Sequence, residues 1–177
     1  MELNTHLQAA TQNCLNASTS VSDAVFFDNT HGKWSIGENL LHLDKSAKRL
    51  IGALSLPKEQ LANFGFATKP SRTYDVMRDS YIAVLQTGVV APKGFTVTQS
   101  AEDTRPSVIE SYVKTHAFLG EKINQFSEED LDLYQVPHPI MGNFTLRETV
   151  YFTIFHITHH EKAVERIVKV PTIHETE

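Results

Sequence analysis

Apolar residues recur at steps of three and four along four stretches of this chain, the spacing that lays one greasy stripe along a helix. From about Leu3 to Phe27 the stripe is Leu7, Ala10, Cys14, Ala17, Val21, Ala24 and Val25. The turn-tolerant run "DNTHGK" at Asp28 to Lys33 ends it. "SIGE" then places Ser35 and Glu38 as a reciprocal capping box, opening a helix with Ile36, Leu40, Leu43, Ala47, Leu50 and Leu54 on one face and Pro57 as its outer limit. "SVIE" at Ser107 to Glu110 repeats that box ahead of Ile109, Val113, His116, Ala117, Gly120 and Ile123, in a helix expected to end near Phe126. "TLRE" at Thr145 to Glu148 opens the last helix, with Thr149, Phe152, His156, His160, Ala163 and Ile167 in phase.

Between the second and third of these lies the least regular region, from about Leu56 to Arg105, broken by prolines and glycines. One short helix is expected there at about Tyr74 to Leu85, and the rest reads as a long ordered loop of the kind that is often functional. "SEEDLDLYQVPHPIMGN" before the last helix reads as a connector. With no convincing strand alternation, the expected fold is all-α: an up-and-down four-helix bundle with a long ordered insertion between the second and third long helices. A length of 177 residues suits a single domain spanning 1–177 with a substantial core.

Composition narrows the function classes. A net charge of −5 with no concentrated run of Lys or Arg argues against a nucleic-acid partner. No apolar run reaches the roughly 18 residues of a membrane span, and "MELNTHLQAATQN" lacks the layout of a signal peptide, so a cytoplasmic protein without a membrane partner is expected. Cys14 is the sole cysteine, which rules out an internal disulfide and a cysteine metal cage; it reads as a small buried hydrophobe.

The chemistry is concentrated in "FHITHHEKAVERI". His156 and His160 stand four apart on the buried stripe, where both imidazoles can lean onto one ion about 2.0–2.1 Å from each ring nitrogen. Two neutral core histidines are the bland alternative, and Ile157 stands where a zinc-protease helix needs its glutamate base. His42 is the leading third ligand, in the second turn of its helix, although it lies about 120° from the middle of that helix's apolar stripe. Its flank, with Ser35, Asn39 and Ser46, faces either a polar pocket between helices or water. His116 is held in reserve as a ligand, His159 reads as an outer or rim residue, and His6, His31, His138 and His174 read as exposed. Glu38 and Glu148 could orient an imidazole but are already accounted for as caps, while Trp34 and Tyr151 are candidates to line a pocket.

"KWSIGENLLHLDKS" at Lys33 to Ser46 and "HPIMGNFTLRETVYFTIFHITHHEKAVERI" at His138 to Ile167 resemble the first and last metal-ligand regions of the DinB-like four-helix-bundle family. "RTYDVMRDSYIAVLQ" with "APKGF" resembles the inserted region of one branch, so the similarity spans nearly the whole chain. The resemblance implies one divalent ion, zinc or nickel, held by His42, His156 and His160 with open positions. It also implies activation of a water or a low-molecular-weight thiol on a small-molecule substrate, in a thiol transferase or a hydrolase. After His160 the chain reads Glu161, Lys162, Ala163, where many relatives have Arg-Gly-Gln, which keeps a non-catalytic metal- or ligand-binding bundle as the alternative. A homodimer is expected in either case, because bundles with apolar helix edges often self-associate.

Overall fold

Short polar side chains that satisfy the free amides of a first turn set most of the helix starts in this protein. The computed structural model describes residues 3–30 and 32–169, so His31 and His174, expected to be exposed, lie outside the described residues. In chain order the elements are α1 (Leu3–Thr19), α2 (Asp23–Phe26), α3 (Ile36–Leu54), α4 (Lys58–Leu61), α5 (Tyr74–Gln86), α6 (Arg105–Ile123), α7 (Glu128–Leu133), the strands β1 (Gln135–His138) and β2 (Gly142–Thr145), and α8 (Leu146–Val168). None of these helices is long and apolar enough to cross a membrane.

The capping boxes at Ser35 and Thr145 form as expected. Ser35 Oγ accepts from the Glu38 amide at 3.1 Å while the Ser35 amide donates to the Glu38 carboxylate at 2.9 Å, and Thr145 and Glu148 do the same at 3.1 Å each way. The third box is displaced. Thr104, not Ser107, caps α6, and Ser107 occupies the third helical position instead. Pro106 lacks only an amide that a first turn leaves free anyway, so it does not delay the helix.

The first helix stops at Thr19 rather than near Phe27. Hydroxyls of Ser18, Thr19 and Ser20 turn back onto carbonyls of their own helix, and the Arg105 guanidinium takes the Thr19 and Val21 carbonyls at 2.7 Å each. The chain then turns into α2, whose Phe26 is fully buried. Gly37 is needed at this junction, because a Cβ there would lie 2.9 Å from the Phe27 ring.

α1 packs against α6 and α8, and α3 packs against the same two helices, so α1 and α3 sit on one diagonal and α6 and α8 on the other. Helix directions follow from paired residues. Thr11 meets Tyr112 while Asn4 meets Gly120; Lys48 meets Ser111 while Asp44 faces His116; Asn39 meets His160 while His42 meets His156. Each pair of neighbours is therefore antiparallel, which makes α1 parallel to α3 and α6 parallel to α8. The expected all-α bundle with its long insertion is present, but its path is up-up-down-down rather than a simple alternation. Such a path needs long crossovers. Residues 20–35 supply one and residues 124–145 the other.

That second crossover is more ordered than a connector. Ser127 and Asp130 cap α7, and β1 pairs antiparallel with β2, with Val136 opposite Phe144 and His138 opposite Gly142. His138, expected to be exposed, is half-buried there, with its ring 4.8 Å from Phe144 and 4.5 Å from Phe152. Cys14 is fully buried in the core, and that burial pushes its thiol up to about 11, consistent with an inert hydrophobe.

The insertion is pinned to α8 at Glu148, whose carboxylate accepts from the Arg72 amide and Nε at 2.8 Å and from Nη2 at 3.0 Å, besides capping Thr145. Burial alone would raise this carboxyl's pKa, but the Arg72 bonds and the two amides outweigh it and hold it below the ordinary range. A depressed carboxyl gives stability above its unfolded pKa that disappears as pH falls through the folded one. Glu148→Gln should therefore cost about 2–3 kcal/mol at pH 7 in urea unfolding, a gap that narrows as pH falls below the usual carboxylate range.

Candidate metal centre

The capping box at Thr145 sets the phase of α8, and the 100° helical step then carries His156 and His160 to the same inward face. α3, running antiparallel beside it, brings His42 to the same level. All three rings are buried, at 4%, 6% and 7% exposure for His42, His156 and His160. Their Nε2 atoms converge: those of His42 and His160 each lie 3.1 Å from that of His156. The three form a group whose ligand atoms all lie within 4.8 Å of one another.

The opposite ring nitrogens decide what that convergence means. His42 Nδ1 lies 2.8 Å from the Phe95 carbonyl, and His160 Nδ1 lies 2.7 Å from Asn39 Oδ1. The Asn39 amide nitrogen donates to the Ser35 and Trp34 carbonyls at 2.8 and 3.3 Å, which leaves its oxygen to face His160. Both partners can only accept, so both Nδ1 atoms carry the hydrogen and both Nε2 atoms present bare lone pairs. His156 Nε2 has at most one hydrogen to share between them. At least one buried lone pair is then left unmatched, a loss of about 1–3 kcal/mol that a shared cation removes.

The spacing suits an ion. Nitrogens about 2.0–2.1 Å from a metal lie roughly 3.0 Å apart on an octahedral face and roughly 3.4 Å apart in a tetrahedron, and the two 3.1 Å separations fall in that interval. Burial pushes all three rings below the ordinary histidine range. For His156 and His160 the shift is large, because neighbouring imidazoles add to the burial. The rings are neutral at pH 7, as ligands must be.

A cavity of about 640 Å³ opens beside the three rings. Trp34 lines it with its ring centroid 4.7 Å from that of His42, and His159 lines it too, half-buried. Glu38 and Tyr151 lie elsewhere: Glu38 is taken up by its cap, and Tyr151 packs against Tyr74 at 6.0 Å and does not line the cavity. His116 lines the cavity but stands outside the three-ring group, its Nδ1 donating to the Tyr112 carbonyl at 2.8 Å. Sequence reasoning placed Asn39 on the flank of His42 without giving it a task, and it missed the Phe95 carbonyl entirely. A polar residue one turn before a candidate ligand was the available signal for Asn39; a backbone carbonyl leaves no trace in a sequence.

A helical bundle crossed by a buried three-histidine group, with an insertion covering it, is the class these features define. The chain belongs to the DinB superfamily, whose sequence profile matches residues 6–163. Among solved structures it is similar to YfiT from Bacillus subtilis, described as a probable metal-dependent hydrolase with an unusual four-helix bundle topology. That likeness covers 93% of this chain and 83% of YfiT with a TM-score of 0.56, and at 13% identity it speaks for the fold. No curated protein matches in sequence.

Burial drives the His138 ring down to about 4, well under its value in an unfolded chain. The unfolded state then binds the extra proton first, so stability present above about pH 6.5 is lost as pH falls toward 4. A nuclear magnetic resonance titration of His138 in the folded protein should give a midpoint near 4, and His138→Phe should weaken the acid dependence of unfolding in that window.

Proposed function

We propose that this protein is a divalent-metal-dependent enzyme in which Nε2 of His42, His156 and His160 hold one zinc or nickel ion. It activates a water or a low-molecular-weight thiol against a small-molecule substrate, as a hydrolase or a thiol transferase. The observation that carries this reading is the set of three buried Nε2 atoms whose lone pairs no arrangement of hydrogens satisfies. His42, His156 and His160 would hold such an ion, which would supply Lewis-acid polarisation of a carbonyl and a lowered pKa for a water or thiol.

The chain's own residues prepare that site. The Phe95 carbonyl and Asn39 orient two of the rings and fix their tautomers, and the hydrogen bonds raise the basicity of the nitrogens opposite. The low exposure of the three rings limits their contact with bulk water. His159, its pKa lowered chiefly by burial, lines the same cavity and is the candidate to take a proton from an incoming nucleophile. The description of YfiT supports the hydrolase arm. The Glu161, Lys162, Ala163 run beyond His160 favours the second reading, a bundle that binds metal or ligand without turnover.

Protein purified without an affinity tag should carry about one equivalent of zinc or nickel by elemental analysis, and the triple alanine variant of His42, His156 and His160 should carry none. Asn39→Leu, which frees the His160 ring, should weaken metal binding by about 10–100-fold. Full metal retention in the triple variant contradicts the proposal.

A further inference from the structure

The cavity is large enough for a drug-sized molecule, and its chemistry is lopsided. Leu43, Leu50, Phe95, Val136, Phe152 and Ile157 form much of its wall. Among the described lining residues Arg49 is the one Lys, Arg, Asp or Glu, and it is exposed, with Nη2 donating to the Gly94 carbonyl at 2.7 Å and the guanidinium 4.2 Å over the Phe95 ring. Two threonine hydroxyls that line the cavity are also committed. Thr149 donates to the Thr145 carbonyl and Thr153 to the Thr149 carbonyl, while Ser46 Oγ and His116 Nε2 are buried without a hydrogen-bond partner. The three converging Nε2 atoms, with His159 and Tyr81 also in the lining, are the polar features that a bound molecule meets in a largely apolar wall.

The outer rim is apolar too. Phe64, Val90 and Ile140 line the same cavity and are 37%, 80% and 37% exposed. Large apolar side chains left at the edge of a cavity favour a partner that covers them. A charged group buried against these walls would lose its hydration, and the one formal charge in the lining, Arg49, is exposed and screened by solvent, whereas each methylene buried gains about fourfold in affinity.

We propose that the substrate class of this site is an uncharged, predominantly apolar molecule, a hydrocarbon chain or ring system that carries one polar head to the three histidines. The proposal rests on the metal-centre reading only for what the head meets; the walls select the body. Small thiols bearing carboxylate or ammonium groups are disfavoured by the same walls.

The test uses the zinc-loaded full chain and N-phenyl-1-naphthylamine, an uncharged fluorophore that brightens in apolar surroundings. It should bind saturably, and 1-heptanethiol should displace it at a concentration at least about tenfold lower than 6-mercaptohexanoate, which has the same thiol head and a charged tail. Ala53→Trp, which fills the cavity, and Val90→Asp, at an exposed rim position, should each weaken fluorophore binding about fivefold or more. Absence of saturable binding, equal or better displacement by the acid, or unchanged affinity in both variants would overturn the proposal. Repeating the titration after chelation, with metal counted separately, parts the two readings. Fluorophore binding with the neutral preference in a protein that takes up no metal sinks only the metal centre; metal uptake without fluorophore binding sinks only this inference.

Discussion

A neutral imidazole has one hydrogen and one lone pair, and when the hydrogen is committed on one side the lone pair must point the other way. In this protein the commitment is made twice, by the Phe95 carbonyl to His42 and by Asn39 Oδ1 to His160. Both lone pairs are thereby turned on His156, inside a site that burial keeps free of protonated rings. Hydrogen bonding within the protein leaves this arrangement short of a positive charge, which a cation would supply. The functional reading depends on that shortage more than on the count of histidines.

Local hydrogen bonds hold both acceptors in place. Asn39 is fixed because the Ser35 box starts α3 one turn before it and the Ser35 and Trp34 carbonyls take its amide hydrogens. The Phe95 carbonyl is fixed by its neighbours: three consecutive carbonyls, of Gly94, Phe95 and Thr96, are taken by Arg49, His42 and Lys45 of α3 at 2.7, 2.8 and 2.8 Å. The insertion is therefore a strap across the metal-centre end of α3, tied by one helix, and the same strap forms a wall of the cavity. Its other anchor, Arg72 on Glu148, fastens it to the helix that carries the remaining two histidines.

Much of this was legible in the amino-acid order, and the exceptions share a cause. Local signals gave the cores of the long helices, the α5 helix, two capping boxes and the spacing of His156 and His160. What failed depended on residues far away along the chain. α1 ends where Arg105, far along the chain, takes the Thr19 carbonyl; the hydroxyl run Ser18, Thr19 and Ser20 was a local signal, but the apolar period continues through it. The β1–β2 hairpin has strands of only four residues with Pro137 in one of them, too short for an alternation to be read. His42 lay off its helix's apolar stripe because a wheel assumes one buried face, whereas α3 is covered by α6 and α8 and again by the strap. The up-up-down-down path is likewise invisible to periodicity, which reports faces and not neighbours.

X-ray absorption at the metal edge tests the central claim most directly, because it reports the atoms bound to the ion. For the protein loaded with zinc the account predicts three nitrogen scatterers with imidazole character at about 2.0–2.1 Å plus oxygen from solvent, and one nitrogen fewer in His42→Ala. A spectrum left unchanged by that substitution, or one without imidazole scattering, would contradict it.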